Sequence, residues 1–265
     1  MDRSLMGLDY PGLLADLQHE SDRLIEHLSG LAYERWGLAT PAAGWSIQDQ
    51  VSHLAFFDDA ARLAMTTPDE FRGLADALTT GGMDFPDRIA MQHRILTPEA
   101  LLGWFTDARR NLQSEFAGEE PRRRLPWFGP DMSVASSATA RLMETWAHGH
   151  DIYEALGVEH PLSPGLRNVA HLGVTTFGFA HTINGLEVPG ESVRIELVSP
   201  DGDSWTWGPE DAANRVSGPA LDFALTVTQR RHWTQTALQA QGTVASRWLD
   251  IAQAFAGAPT QRAPR

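Results

Sequence analysis

Residues 141–157 read RLMETWAHGHDIYEALG and set Glu144, His148, His150 and Asp151 among apolar neighbours. The apolar letters have the spacing of a helix directed at a core. On a helix, positions i and i+4 share a face, and i+7 returns close to the same line. Glu144, His148 and Asp151 therefore form one line, continued backward by Arg141 and Ala140. His150 falls about 240° from Glu144 and points elsewhere. Carboxylate and imidazole, two strong metal-ligand types, stand side by side at one turn's separation. The same spacing also makes a solvated helix face or a simple hydrogen bond along the helix. Two ligands do not close a site, so a third would have to come from another helix.

Working outward, this helix runs from Ser133 to about Leu156 and is closed by Gly157. Three other long helices precede it. Leu13, Leu14, Leu17, Leu24, Ile25 and Leu28 give a helical stripe within 8–31. A second helix starts at Ser46, with Asp49 in a capping-box position, and carries Val51, Leu54, Ala55, Leu63 and Ala64. A third opens at Thr97-Pro98-Glu99 with proline in the first turn, where its missing N–H costs nothing. Between the second and third, Thr67-Pro68 starts a short helix that TTGGMDFPD (79–87) breaks, and 118–131 reads as a loop. Four long helices with intervening loops predict a four-helix bundle.

Beyond Pro161 the texture changes. One helix is expected over 165–181, followed by SVRIELVSP (192–200), where Val193, Ile195 and Leu197 alternate with Arg194 and Glu196 as in a half-buried strand. DGD (201–203) is a turn signal, and Trp205 and Trp207 share one face of the returning strand. RVSG (215–218) fits a short strand, 219–231 a helix opened by Pro219, 236–242 a strand, and 243–257 a closing helix. The expected organisation is α+β in two parts: a helical bundle over 1–160, a small α+β domain over 161–258, and a disordered tail at 259–265.

Composition bounds the function. Hydrophobic residues are 42% and charged residues 21%, an ordinary globular balance. The net charge of −13 repels phosphate backbones and anionic lipid heads, so neither nucleic acid nor a membrane is an expected partner. No apolar run approaches the roughly 20 residues needed to cross a bilayer, and the first residues lack a signal-peptide core, so a cytoplasmic protein is expected. The chain has no cysteine, which removes disulfides, thiolate ligands and a protein thiol nucleophile together. Any thiol chemistry must use a sulfur carried by a small molecule.

Among the ten histidines, His19-Glu20 begins like the zinc-protease helix motif, but Arg23 stands where the second histidine is required. His27, His93, His160, His171, His181 and His232 have no partner at a ligand spacing and read as surface or satisfied core. His53 is different in setting, since it lies beside Val51 and Leu54 on the apolar stripe of the second helix. Such a histidine can be a core residue or a ligand.

The stretches GWSIQDQVSHLAFFD (44–58) and ATARLMETWAHGHDIYEALG (138–157) resemble the DinB-like metal-binding superfamily, and more closely its mycothiol-dependent maleylpyruvate isomerase branch. The first signature of that branch appears as Gly44, Trp45, Ser46, His53, Leu54 and Ala55, the second as Glu144, Trp146, His148 and Asp151. VSGPALDFALTVTQRRHW (216–233) and VASRWLDIAQAFAG (244–257) look like an actinobacterial subgroup known only as metal-binding. The resemblance implies a DinB-like bundle followed by a small sterol-carrier-like domain. It implies His53, Glu144 and His148 as ligands of a divalent metal. Two histidines and one carboxylate leave a position open for water or substrate, as in catalytic zinc sites; nickel, manganese or iron are also compatible. Asp151 is placed either to accept a hydrogen bond from a ligating imidazole or to be a fourth ligand. His150 is not expected to be one.

The resemblance further implies an enzyme that uses an external thiol, mycothiol, to isomerise or add sulfur to a small electrophile. An arginine of the C-terminal domain assists in the isomerase, and Arg230, with Arg231 beside it, lies in the corresponding region. A guanidinium there suits a substrate carboxylate, although a basic helix end favoured by the helix dipole looks the same. Two other readings stay open: hydrolysis by metal hydroxide with Asp151 as base, and a binding module whose Trp205, Trp207 and Trp233 enclose an apolar ligand. The expected partners are small molecules, and the chain is a monomer or a homodimer.

Overall fold

The computed structural model describes residues 9–257, so the tail expected at 259–265 lies outside the described residues. The chain divides into two compact units, Met1–Ser163 and Pro164–Arg265.

In the first unit, α1 (Tyr10–Ser29) begins where the Asp9 carboxylate accepts from the Gly12 amide at 3.0 Å. The next helix, α2 (Ile47–Thr66), starts at Ser46, whose amide and hydroxyl donate to Asp49 at 2.8 and 2.7 Å. Then follow α3 (Pro68–Thr80), α4 (Phe85–His93) and α5 (Pro98–Gly118). Helix α4 departs from expectation. Pro86 does not break the chain there, because it sits in the first turn, and Phe85 and Ile89 bury against Phe57 of α2. The segment after α5 also holds an unexpected antiparallel pair, β1 (Arg124–Leu125) with β2 (Met132–Ser133). Helix α6 (Val134–Leu156) closes on Gly157, whose φ of 68° is the left-handed conformation that glycine adopts without steric cost.

Helices α1 and α2 each pack on both α5 and α6, so the four long helices enclose one core. That core has two apolar levels. Leu17, Ala61, Leu112 and Leu142 belong to one; Leu24, Leu54, Phe105 and Ile152 belong to the other. Between these levels every helix carries buried polar residues: Ser21 on α1, Asp58 on α2, Arg109 on α5, and Thr145 and His148 on α6. On α6, 16 of 23 residues are buried, so most of its polar side chains face protein rather than water. The polar letters of the opening stretch thus lie at the waist of the bundle.

In the second unit, the single helix expected over 165–181 is two, α7 (Leu166–Thr175) and α8 (Phe177–Ile183). Strands β3 (Val193–Val198), β4 (Ser204–Trp207) and β5 (Asn214–Pro219) follow, then α9 (Ala220–Val227), β6 (Gln239–Gln241) and α10 (Thr243–Ile251). The sheet order is β4-β3-β5-β6, with β3 and β5 parallel and the outer pairs antiparallel. Ile195, Leu197 and Val216 are buried on one face, while Glu196 pairs with Arg194 and Arg215 on the other. Trp207 and Trp205 stand opposite Ile195 and Leu197 in register, and α7 lies near them: the Trp207 indole donates to His171 and Arg167 sits over Trp205.

Two helix ends differ from the sequence reading. The helix expected over 219–231 stops at Val227, and Gln229, at φ 60°, turns the chain so that the amides of Arg230 and Arg231 both return to the Leu225 carbonyl. The closing helix ends at Ile251 rather than near 257. Among the described residues no helix is long and apolar enough to cross a membrane.

Candidate metal centre

Helix α2 delivers His53, and α6 delivers Glu144 and His148, so that one ligand atom from each lies within 4.8 Å of the others. Glu144 Oε2 stands 2.9 Å from His148 Nε2 and 3.7 Å from His53 Nε2. Two atoms that each bind a tetrahedral ion at about 2.1 Å are about 3.4 Å apart, so these spacings suit one ion. Local geometry and packing share the work. The i,i+4 relation on α6 aligns Glu144 with His148, and the contact of α2 with α6 brings His53 to them.

Aromatic rings wall the three donors. Trp45, in the loop before α2, lies 5.9 Å from the His148 ring at 15° and 5.2 Å from the His53 ring. Phe57, one turn along α2, lies 4.5 Å from His53. The Arg141 guanidinium is also over Phe57, with Nη2 3.8 Å from Glu144 Oε1 and Nη1 3.6 Å from Asp58. Asp58 in turn holds Arg109 through two bonds.

The electrostatics favour the deprotonated forms of Glu144 and His53. Burial would raise the Glu144 carboxyl, but hydrogen bonds with His148 and His53 and the charge of Arg141 outweigh it and hold the group well below the usual carboxylate range. Burial, with His148 nearby, pushes the His53 imidazole down to about 4. At neutral pH the carboxylate is charged and His53 is neutral, the forms a divalent cation requires. The residues present therefore fit a metal ion.

Of the residues singled out from the sequence, His53, Glu144 and His148 converge. Asp151 is buried one turn beyond His148 but is not among the converging residues. The far ring nitrogen of His148 meets Oε1 of Gln50. His150 lies off the site, stacked on Trp146 at 5.8 Å and 3.6 Å from Glu154. Arg230 belongs to the second unit, in the turn after α9, where its Nη1 donates to the Thr228 carbonyl at 2.7 Å. Glu20, the second residue of the failed protease motif, pairs with His160 at 3.0 Å. Gln50, Asp58 and Arg109 escaped the sequence reading. Their only signal was polarity at positions where α2 and α5 pack against the bundle.

The fold and the site together define a DinB-like bundle with a candidate three-ligand metal centre, followed by an α+β unit. The family model described as mycothiol maleylpyruvate isomerase N-terminal domain matches residues 17–153, and the chain belongs to that family. A second model, described as wyosine base formation, matches residues 189–241, from before β3 through β6. Two proteins of Mycobacterium tuberculosis, one from each of two strains and both described as uncharacterized, are 46% identical over 250 residues, covering 94% of this chain and 97% of their own. Crystal structures of the mycothiol-dependent maleylpyruvate isomerase and of one of its mutants match with TM-scores of 0.58 and 0.59. They cover 88% of this chain and 93% of theirs at 15% identity, a likeness of fold.

Proposed function

We propose that this chain is a metal-dependent enzyme that uses an external low-molecular-weight thiol, mycothiol, on a small electrophilic substrate. The observation that carries this reading is the convergence of His53, Glu144 and His148 within 4.8 Å in a chain of that family. The absence of cysteine agrees with a sulfur supplied from outside. Bound there, a zinc ion would supply a Lewis-acid centre that lowers the pKa of a thiol.

The chain's own residues do the rest. Glu144 stays charged and His53 neutral, so these two donors need release no proton near pH 7. Trp45 and Phe57 exclude water from the ring side of both imidazoles, which strengthens charge interactions inside. Arg141 adds a buried positive charge next to Glu144 and favours an anion in the site. For isomerisation, the thiolate sulfur adds to the electron-poor carbon of a conjugated double bond and the π pair moves onto the neighbouring carbonyl. Rotation about the resulting single bond follows, and return of the pair expels the thiolate unchanged. In a transfer reaction the anion is protonated and the C–S bond stays. Arg230 is the candidate to grip a substrate carboxylate by parallel N–H bonds. Asp151, outside the three-donor set, is a candidate base if the reaction is hydrolysis.

Metal content of purified wild type, His53→Ala and His148→Ala tests the centre; full occupancy in both variants would overturn it. Titration of mycothiol into the cobalt-substituted protein tests the thiol. A sulfur-to-cobalt absorption band is expected, and its absence at millimolar thiol would move the reading to hydrolysis or to a binding module.

A further inference from the structure

The surroundings of His148 carry a direction that can be traced bond by bond. The Trp45 carbonyl can only accept, and the Thr40 hydroxyl donates to it at 2.9 Å. With its one proton committed there, Thr40 Oγ1 must accept from its other neighbour, the Gln50 side-chain amide, at 2.8 Å. An amide that turns its NH2 toward Thr40 turns its oxygen the other way. That oxygen, Oε1 of Gln50, faces Nδ1 of His148, and both side chains are buried. Nδ1 must then carry a proton, which leaves Nε2, 2.9 Å from Glu144 Oε2, as the ring nitrogen that can serve a metal. Without an ion a proton on Nε2 bridges that gap, and a divalent cation takes its place while the Nδ1 proton stays.

We infer that Gln50 is a positioning residue: through Thr40 and the Trp45 carbonyl it holds His148 in the Nδ1–H tautomer, presetting Nε2 as a metal donor. The inference rests on the reading of His53, Glu144 and His148 as ligands. It adds an asymmetry between the two histidines. Nδ1 of His53 is buried with no hydrogen-bond partner among the described residues, so the ring nitrogen facing away from Glu144 is held by a bonded relay in His148 and by none in His53. A neutral amide also leaves the imidazole less basic than a carboxylate partner would. The loop at 40–46 thereby has two tasks: the Trp45 ring covers His148, and the Trp45 carbonyl anchors the relay that sets its proton.

The test compares wild type with Gln50→Leu, Gln50→Glu and Thr40→Val. Zinc affinity is measured by chelator competition, and the His148 tautomer by long-range nitrogen–proton NMR of the metal-free protein. Wild type is expected to carry its proton on Nδ1. Gln50→Leu should bind zinc about 10- to 100-fold more weakly, the usual loss for an outer partner of a ligating histidine, and should lose the tautomer preference. Gln50→Glu, which keeps an acceptor, should retain both, and Thr40→Val should weaken both without touching His148. An unprotonated Nδ1 in metal-free wild type overturns the inference, as does wild-type affinity with an unchanged Nδ1 proton in Gln50→Leu. If wild type takes up no zinc, the ligand reading fails separately, and the tautomer comparison still decides whether the relay acts on His148.

Discussion

Asp58 on α2 and Arg109 on α5 meet through two bonds of 2.7 and 3.0 Å, at a depth where Asp58 is fully buried and Arg109 is 2% exposed. Ser21 of α1 also accepts from Arg109, and Arg141 of α6 approaches Asp58 from the other side, so all four long helices contribute to this layer. A pair taken so fully out of water is costly to break and cheap to replace whole. Asp58→Ala or Arg109→Met alone should each destabilise the protein by about 3–5 kcal/mol. The double replacement Asp58→Leu with Arg109→Met should recover most of that loss, with Arg141 keeping Glu144 as partner. Urea midpoints at constant m-value check this. A double variant as unstable as the two losses added together would show that the pair is not a closed unit.

Acid should destabilise the metal-free protein over a defined window. His53, held down to about 4 in the fold, has an ordinary value of 6.5, so between these pH values the unfolded chain takes up a proton that the folded chain refuses. Stability is therefore full above pH 6.5, falls as pH drops toward about 4, and gains no further slope from this residue below that. Replacing His53 with Leu should flatten this part of the curve. Unfolding midpoints of both proteins from pH 8 to 4 give the comparison, and identical slopes would contradict the assignment to His53.

Zinc should stabilise the fold by mass action, because the three donors come together only in the folded chain. With free zinc about 1,000-fold above Kd, the expected gain is about 4 kcal/mol. Glu144→Gln, which keeps shape and removes charge, should lose most of the zinc-induced rise in Tm. His150→Ala should keep all of it, since His150 lies on Trp146 away from the donors. A zinc response lost in His150→Ala would place that residue in the centre after all.

In the second unit, Gly173 of α7 has no room for a side chain. A methyl group there would sit 2.6 Å from Val227 Cγ2 at the end of α9. Alanine is the better helix former, by about 1 kcal/mol, but the overlap should outweigh it, with a net loss of about 1–2 kcal/mol. Combining Gly173→Ala with Val227→Ala removes the overlap at the cost of a small cavity. Thermal unfolding should show the double variant less impaired than the sum of the two single ones.

What was legible followed the range of the interaction. The Ser46–Asp49 cap, the Gly157 stop and the alignment of Glu144 with His148 are settled within one or two helical turns, and all are readable as letters. Helix α4 was missed because proline marks a break in one context and a first turn in another, and only burial of Phe85 and Ile89 chooses between them. The early end of α9 was missed because Gln229 adopts a positive φ that nothing in its side chain announces.

The sequence by itself determined which donors share a line on α6 and which residue types could hold a cation, since a helical period of 3.6 residues fixes side-chain direction locally. The tertiary structure alone decided what stands opposite that line. His53 lies some 90 residues earlier, and Gln50 meets the far nitrogen of His148 across 98 residues of chain. Such pairings depend on how α2 and α6 pack side chain against side chain, and no local rule encodes that contact.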